Sequence, residues 1–469
     1  MKKIYKLLLV AFLFVTFSAK AQNDGITMTL LPHLSYNNYY NPAMPIDSKV
    51  VFGVGVSNIG LSVFNSSIRY DNLFTNKGTD ALTLDANKFI NSLDEHDNFI
   101  NTNFSIDIIR LGFKVKRFFF DFDCKFRYNG EFHYSKDFLG FFVNGNGNYL
   151  GNNNPADFSI GVDINTFTEM SLGIQYAITD KLTVGIRPKL LVGIANLSVN
   201  DDQTMIYTDP NTYEMTADVN INIKASTLLN MDINRISDIG TYIDSIDNIA
   251  IEDMFVIDEN IGYGIDFGLS YTFNKHFGIA AGVYDLGYIT WRNSKEKHNH
   301  KDRVVVNDAL INDFDELINM NLNFEDLYTD LIEDVWDDDS LYVGADYQTA
   351  LKTRIMLQAY WELNPLVRFT AISQMYYVKD QFRPAMTLAY SGSFFRFLNF
   401  TASYTASKYA GNSVGFGFGV NLGPLNVYAI TDNIMILSKL HTSALEMATS
   451  YKAANVRLGL VFTPGKIKN

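Results

Sequence analysis

The sequence predicts an all-β chain: a 14-stranded antiparallel barrel that crosses a membrane, with an N-terminal plug and short helices in long outer loops. Three observations predict it. Long stretches alternate large apolar side chains with small or polar ones at a period of two, which gives a strand one greasy face and one wet face. The connections between these stretches sort by parity: those after strands 2, 4, 6, 8, 10 and 12 are tight, those after strands 1, 3, 5 and 7 are long, and the one after strand 13 is moderately long. A soluble sandwich has no reason to sort loop lengths that way, whereas a barrel of the bacterial outer membrane has short periplasmic turns and long outer loops. The chain also opens like an exported protein. Lys2 and Lys3 precede an uncharged apolar run over residues 7–17, and Ala19-Lys20-Ala21 forms a cleavage site, so residues 1–21 read as a signal peptide. No Cys follows that site, which excludes a lipoprotein reading, and no later apolar run reaches the ~18 residues of a spanning helix.

Composition sets the outer limits. With 47% hydrophobic and 19% charged residues and a mean hydropathy of -0.02, the chain is too polar for a helical membrane protein. A barrel tolerates that average, because lipid-facing and lumen-facing residues alternate. The net charge of -13 argues against a nucleic-acid partner. Cys124 is the only cysteine, so neither an intrachain disulfide nor a Cys-based zinc site can form.

Residues 22–47 lack strand periodicity and are expected to form the plug, with Asn41-Pro42-Ala43 as its rigid element. The barrel is expected to fill 48–469. Val50, Phe52, Val54 and Val56 open the first strand, over 48–64, and residues 67–102 form a long excursion with a short helix from Ala86 to Leu93. Leu111, Phe113 and Val115 end the second strand, over 103–115. The third, 117–128, puts Phe118, Phe120, Phe122, Cys124, Phe126 and Tyr128 on one face. Its other face carries Asp121, Asp123, Lys125 and Arg127, interrupted only by Phe119. Periodicity alone leaves that charged face either solvated outside a sandwich or lining a lumen.

Residues 129–157 are rich in Gly and Asn and read as a loop. A long alternating strand over 158–178 turns at Thr179-Asp180-Lys181 into 181–195, which carries Arg187 and Lys189 opposite its apolar face. The clearest hairpin is 261–273 with 277–290. Tyr263, Ile265, Phe267, Leu269 and Tyr271 alternate with Gly264, Asp266, Gly268 and Ser270. Phe267 is expected to face lipid and Asp266 a wet lumen, so an arginine is expected to be costlier at 267 than at 266. Seven further strands are predicted over 351–362, 366–378, 384–391, 396–405, 412–422, 425–432 and 453–463.

The long connections 197–260 and 292–349 are the largest interruptions. The second holds twelve acidic residues between 308 and 339, with apolar residues at helical spacing, and short amphipathic helices are expected there. Asp337-Asp338-Asp339 lacks the Asp-x-Asp-x-Asp-Gly pattern of a calcium loop and reads as a solvated surface. His298-Asn299-His300, with no third ligand indicated, reads as a polar loop rather than a metal site. No metal or cofactor is expected.

Asn41-Pro42-Ala43 ahead of the first strand resembles the fatty-acid transporter family of outer-membrane barrels, which are fourteen-stranded with an N-terminal plug. The run from Gly264 to Gly268, with Tyr284-Asp285-Leu286-Gly287-Tyr288-Ile289-Thr290-Trp291, resembles an uncharacterised family of Bacteroidota outer-membrane barrels, a domain of unknown function. The shuttle barrel of type IX secretion is similar in architecture. These resemblances imply a fold and a location, not a substrate.

No G-x-S-x-G, H-E-x-x-H or Walker loop is present, so no enzyme is expected and no catalytic residue is assigned. The expected site is the lumen, lined by Asp121, Asp123, Lys125, Arg127, Arg187, Lys189 and Asp266. The leading function is a transport channel for small or hydrophobic solutes. The alternatives are a protein-docking barrel of a secretion or surface-assembly system, and a structural barrel without cargo. Expected partners are outer-membrane lipid and either a hydrophobic solute or a secreted protein at the outer loops.

Overall fold

Fourteen antiparallel strands close on themselves in the computed structural model of the chain. It describes residues 25–464 except 56, 68–73, 77–81, 97, 202–203, 228–259, 293–294, 307–341, 344, 365, 379–380, 396, 408–411 and 436–452. The proposed signal peptide and the expected helices of the acidic stretch lie outside the described residues.

The wall runs in chain order. β1 is interrupted, Val50–Val54 then Ile59–Asn65; β2 is Asn98–Val115, β3 Phe118–Tyr134, β4 Ile160–Ala177 and β5 Leu182–Asp201. β6 is Ile261–Thr272, β7 Phe277–Trp291, β8 Thr353–Asn364, β9 Val367–Val378 and β10 Gln381–Phe394. β11 is Leu398–Ser407, β12 Ser413–Leu422, β13 Leu425–Thr431 and β14 Ala453–Phe462. Each strand pairs with the next, and both halves of β1 pair with β14, as in Phe52↔Phe462 and Ile59↔Leu458, which closes the ring and removes the sheet edges.

Alternation decides which face looks out. Leu172, Leu388 and Leu460 are exposed between buried strand neighbours, and Phe113, Phe118, Phe267, Leu269 and Phe369 are exposed on the same outer face. Aromatic side chains gather at the short-turn end of this outer face. Phe118 stacks on Tyr176 at 4.5 Å, and Trp361, Phe369, Tyr390 and Phe400 follow each other in contact across four strands. A second outward set, including Tyr263, Tyr288, Tyr377 and Phe382, lies toward the long-loop end. Phe369 and Tyr377 are eight residues apart on β9, about 27 Å along the strand, or roughly 20 Å of height at a tilt near 40°. An apolar band of about that height between two aromatic girdles is the outer surface of a barrel that crosses a membrane.

The long-loop end departs from the sequence reading. Residues 129–157 are not a plain loop: β3 runs on to Tyr134, and a helix over Lys136–Asn144 follows, its N-terminus capped by Ser135 Oγ accepting from Phe138 N at 3.0 Å. Met215–Thr227, inside the expected 197–260 loop, is a strand that pairs with the far end of β5. His298 and His300 lie in a further strand, Lys295–Val306, paired with Met215–Thr227, and not in a loop. Phe138, Phe141, Phe158, Ile206 and Ala217 bury themselves together here, so this end has an apolar core of its own. Alternating Val and Ile between Met215 and Thr227 carried the strand signal, but the surrounding polar residues masked it. Ala86–Asn91 is a short helix, capped by Asp85.

Candidate functional site: the barrel interior

Residues 25–47 lie inside the ring. Nearly all are buried, and they bond to inward-facing groups on opposite sides of the wall. On one side Asp432, just after β13, accepts from Gly25 N at 2.6 Å and Thr27 N at 2.9 Å. Nearby, Thr401 of β11 donates to Leu30 O at 3.1 Å. On the other, the Arg110 guanidinium of β2 donates to Ser35 O at 2.9 Å and Asn38 Oδ1 at 2.8 Å. Arg187 of β5 donates to Tyr39 O at 3.1 Å and Asn38 O at 3.2 Å. Buried bonds from a charged donor contribute about 1.5–3 kcal/mol each, so these guanidinium contacts fix the path of the segment.

Asn41-Pro42-Ala43 forms a tight turn: Asn41 Oδ1 accepts from Ala43 N at 2.9 Å, and Met44 N donates to Asn41 O at 3.0 Å. The turn faces β4 to β7. Gln175 of β4 donates to Pro42 O at 2.9 Å and Met44 O at 2.7 Å, and Asn41 Nδ2 donates to Ala281 O at 3.0 Å. Its seat is a row of glycines in register across three strands, Gly185, Gly268 and Gly282. A Cβ at Gly268 would overlap Asn41 Oδ1, and one at Gly185 would overlap the Pro42 carbonyl. Only residues without side chains let the turn lie directly on the wall.

The seven charged residues expected at the lumen meet in one network. Asp121 accepts from Arg187 Nε at 3.1 Å, and Arg187 lies 3.5 Å from Asp266. Lys189 sits 2.8 Å from Asp266, 2.6 Å from Asp285 and 3.4 Å from Glu169. Arg127 joins Glu169 at 2.7 Å to Asp285 at 2.8 Å; Lys125 lies 3.6 Å from Glu169; Asp123 binds Arg110 at 2.8 Å. Five cations face five carboxylates, so the network is neutral as a whole. It is also dry: Lys125, Arg187 and Asp266 have no exposed side-chain surface, and the wet lumen expected around Asp266 is filled by the N-terminal segment and by Tyr284. Arg110 over Tyr36 (4.5 Å), Lys125 over Tyr39 (4.2 Å) and Lys189 over Tyr284 (3.8 Å) add cation–π contacts to the seal.

Sequence reasoning missed Arg110, Glu169 and Asp285. The first two stand on the polar side of their alternations, beside Leu111 and Met170, and parity would have found them. Asp285 shares the parity of outward Val283. A bulge turns it in: the register slips between Ile265/Leu286 and Phe267/Val283, Asp285 takes φ 61°, and its N–H donates to Asp266 Oδ1 at 2.8 Å. A second slip at Asp107/Ile109 places Asp107 in the interior, fully buried, with no hydrogen-bond partner for either carboxylate oxygen among the described residues.

A closed barrel with a polar, filled interior and an apolar outer band is a membrane-barrel architecture. The chain belongs to a family described as "Family of unknown function (DUF5723)", which matches residues 42–432. No curated protein matches it. Solved structures similar to it include the Pseudomonas putida toluene transporter TodX, at 10% identity over 94% of this chain and 98% of that one, TM-score 0.38. A Pseudomonas aeruginosa FadL homologue is similar at 10% identity over 94% and 96%, TM-score 0.40. The Ralstonia pickettii toluene transporter TbuX is similar at 10% identity over 92% and 93%, TM-score 0.38. The fold assignment rests on this chain's own strand register.

Proposed function

We propose that this protein is a transport barrel of the bacterial outer membrane for small or hydrophobic solutes, closed at rest by residues 25–47 acting as a plug. One observation carries the reading: the segment crosses the lumen and is held by directional bonds to both sides of the wall, with Asn41-Pro42-Ala43 seated on bare glycine backbone. Asp121, Asp123, Lys125, Arg127, Arg187, Lys189 and Asp266 then act as lumen-wall residues that anchor the plug. Deleting residues 23–40 is expected to raise conductance in planar bilayers while the barrel still assembles. Unchanged conductance of a correctly assembled deletion variant defeats the plug.

A second reading, a barrel that docks a secreted or surface protein at its outer loops, draws support from the separate apolar core at the long-loop end. Under that reading the deletion leaves the pore silent. Removing Met215–Thr227 together with Lys295–Val306 then abolishes capture of the partner.

A further inference from the structure

The short-turn rim of the barrel has two chemically different sectors. From β2 to β7 its turns are charged: Lys114, Lys116 and Arg117, then Asp180 and Lys181, then Lys275 are all exposed. From β8 to β13 they are apolar. Leu363 and Leu366 flank the β8–β9 turn, Phe394, Phe395 and Phe397 belong to the β10–β11 turn, and Leu422 opens the β12–β13 turn, all of them exposed. Over residues 363–366, 394–397 and 422–425 the sequence has one charge, Arg396. Phe395 is the extreme case. It is 85% exposed, and it takes φ 48°, a conformation that Gly or Asn adopts at lower cost and that a turn built for water would give to one of them. Its ring stacks on Phe397 at 6.4 Å. Between the β8–β9 and β10–β11 turns the outer surface is concave and mostly apolar, lined by Leu366, Tyr390, Phe394, Phe395 and Phe400, with Asn364 and Ser393 as its polar part.

A contiguous exposed apolar patch marks a surface that meets something other than water. Continuity says what covers this one. Tyr390 and Phe400 line the concavity and also stand in the aromatic row, with Trp361 and Phe369, on the outer band that crosses the membrane. The lipid-facing surface thus runs on past the strand ends and onto the turns in this sector. We infer that the β8–β13 sector of the rim is a lipid-binding surface, seated in the membrane leaflet on the short-turn side, with phospholipid chains lying over Leu366, Phe394 and Phe395. The charged β2–β7 turns stand in water, so the barrel sits deeper on its β8–β13 side. Aromatic rings at the edge of a barrel settle at the headgroup level, and an arginine among them keeps its charge in the headgroups while its stem lies along apolar surface. The inference needs only the membrane-barrel architecture and does not depend on what the barrel carries.

The test is spin-label accessibility in the full-length protein, assembled in vesicles of dioleoylphosphatidylcholine. A nitroxide is placed at Phe395→Cys and, as the charged-sector control, at Lys275→Cys; the wild type, whose Cys124 is buried, supplies the background signal. Power saturation is read with molecular oxygen, which partitions into the bilayer, and with a water-soluble nickel chelate, which does not. The ratio of oxygen to chelate accessibility is expected to be at least fivefold higher at 395 than at 275. If Phe395→Cys does not assemble, a label at Leu422→Cys decides, with the same expectation. Equal ratios, both in the aqueous range, overturn the lipid surface and leave this sector to a protein partner, since the vesicles hold none. Equal ratios, both in the lipid range, overturn the difference in depth between the two sectors. A ratio at 275 above that at 395 overturns both.

Discussion

The two sides of this barrel solve the same packing problem with different chemistry. From β2 to β7 the inner face is charged: ten side chains neutralise one another and also hold backbone carbonyls of the N-terminal segment. From β9 to β12 the inner face is mostly hydroxyl and amide, with Thr370, Gln374, Thr387, Ser391, Thr401, Ser403 and Thr405 all buried. There the segment is met by single neutral bonds, such as Thr27 Oγ1 to Ser403 Oγ at 2.9 Å, and by apolar side chains such as Leu31 lying over Gly417 and Gly419. Charged bonds in a dry site are strong and fail badly when one partner is lost, whereas neutral hydroxyl contacts are weak and replaceable. The charged side thus holds the segment by several directional charged bonds, and the hydroxyl side by weaker neutral ones, with the Asp432 carboxylate beyond β13 as its one charged anchor there among the described residues.

The largest effect expected from breaking that contrast is at Asp266. Read from the sequence alone, Phe267→Arg is the costlier change and Asp266→Arg is absorbed by water. The geometry reverses the order. Phe267 is 44% exposed on the outer face, where an arginine at the bilayer midplane costs roughly 2–4 kcal/mol. Asp266 is fully buried against Lys189 and Arg187, so an arginine there both removes their acceptor and adds a third cation. Less assembled barrel for Asp266→Arg than for Phe267→Arg, measured by refolding into lipid vesicles, is the expected result, and the opposite order rules out a dry network.

Lys189→Met comes next. The substitution keeps most of the volume and leaves Glu169, Asp266 and Asp285 without the ammonium they share. Removing one partner from a buried ion network typically costs about 3–5 kcal/mol. Urea unfolding in vesicles measures it, and a loss under about 1 kcal/mol would mean that water reaches these groups.

Gly268→Val sharpens the comparison without touching a charge. The added side chain occupies the space of Asn41 and Ala43, and overpacking of this kind costs about 1–3 kcal/mol if the turn stays in place. The turn is expected to lift instead, which raises conductance. Gly264→Val, four residues earlier on the same inner face, places a Cβ only at ordinary contact distance from Leu351 and Lys189 and serves as the control. Equal conductance in the two variants removes the glycine seat from the account of the plug.

Much of this was legible in the residues. Alternation located all fourteen strands because each has lipid on one side and a packed polar interior on the other, the condition under which period two is cleanest. Asp121, Asp123, Lys125 and Arg127 were readable as one face because β3 runs without a bulge between them. Asp285 was not readable, since a bulge cancels the parity on which the reading depends. Nor was the role of Gly185 and Gly268. A glycine in a strand signals a close approach, but the approaching group lies about 140 residues or more away in sequence, and no local pattern names it. The neutrality of the network is likewise a property of six neighbouring strands together.

The smallest effect is expected on the hydroxyl side, and it tests whether that side is truly replaceable. Thr387 Oγ1 and Thr405 Oγ1 are 2.8 Å apart on neighbouring strands, both buried. Thr387→Val keeps the shape and removes one partner, at a cost of about 0.5–1.5 kcal/mol. Replacing both, Thr387→Val with Thr405→Val, removes the two hydroxyls of the pair together, and paired apolar replacement of a hydrogen-bonded pair is close to neutral. The double variant is therefore expected to be no less stable in urea than the single one. A cost that instead grows with the second substitution would mean these hydroxyls serve the N-terminal segment or a permeating solute rather than each other, and the hydroxyl side would then be as specific as the charged one.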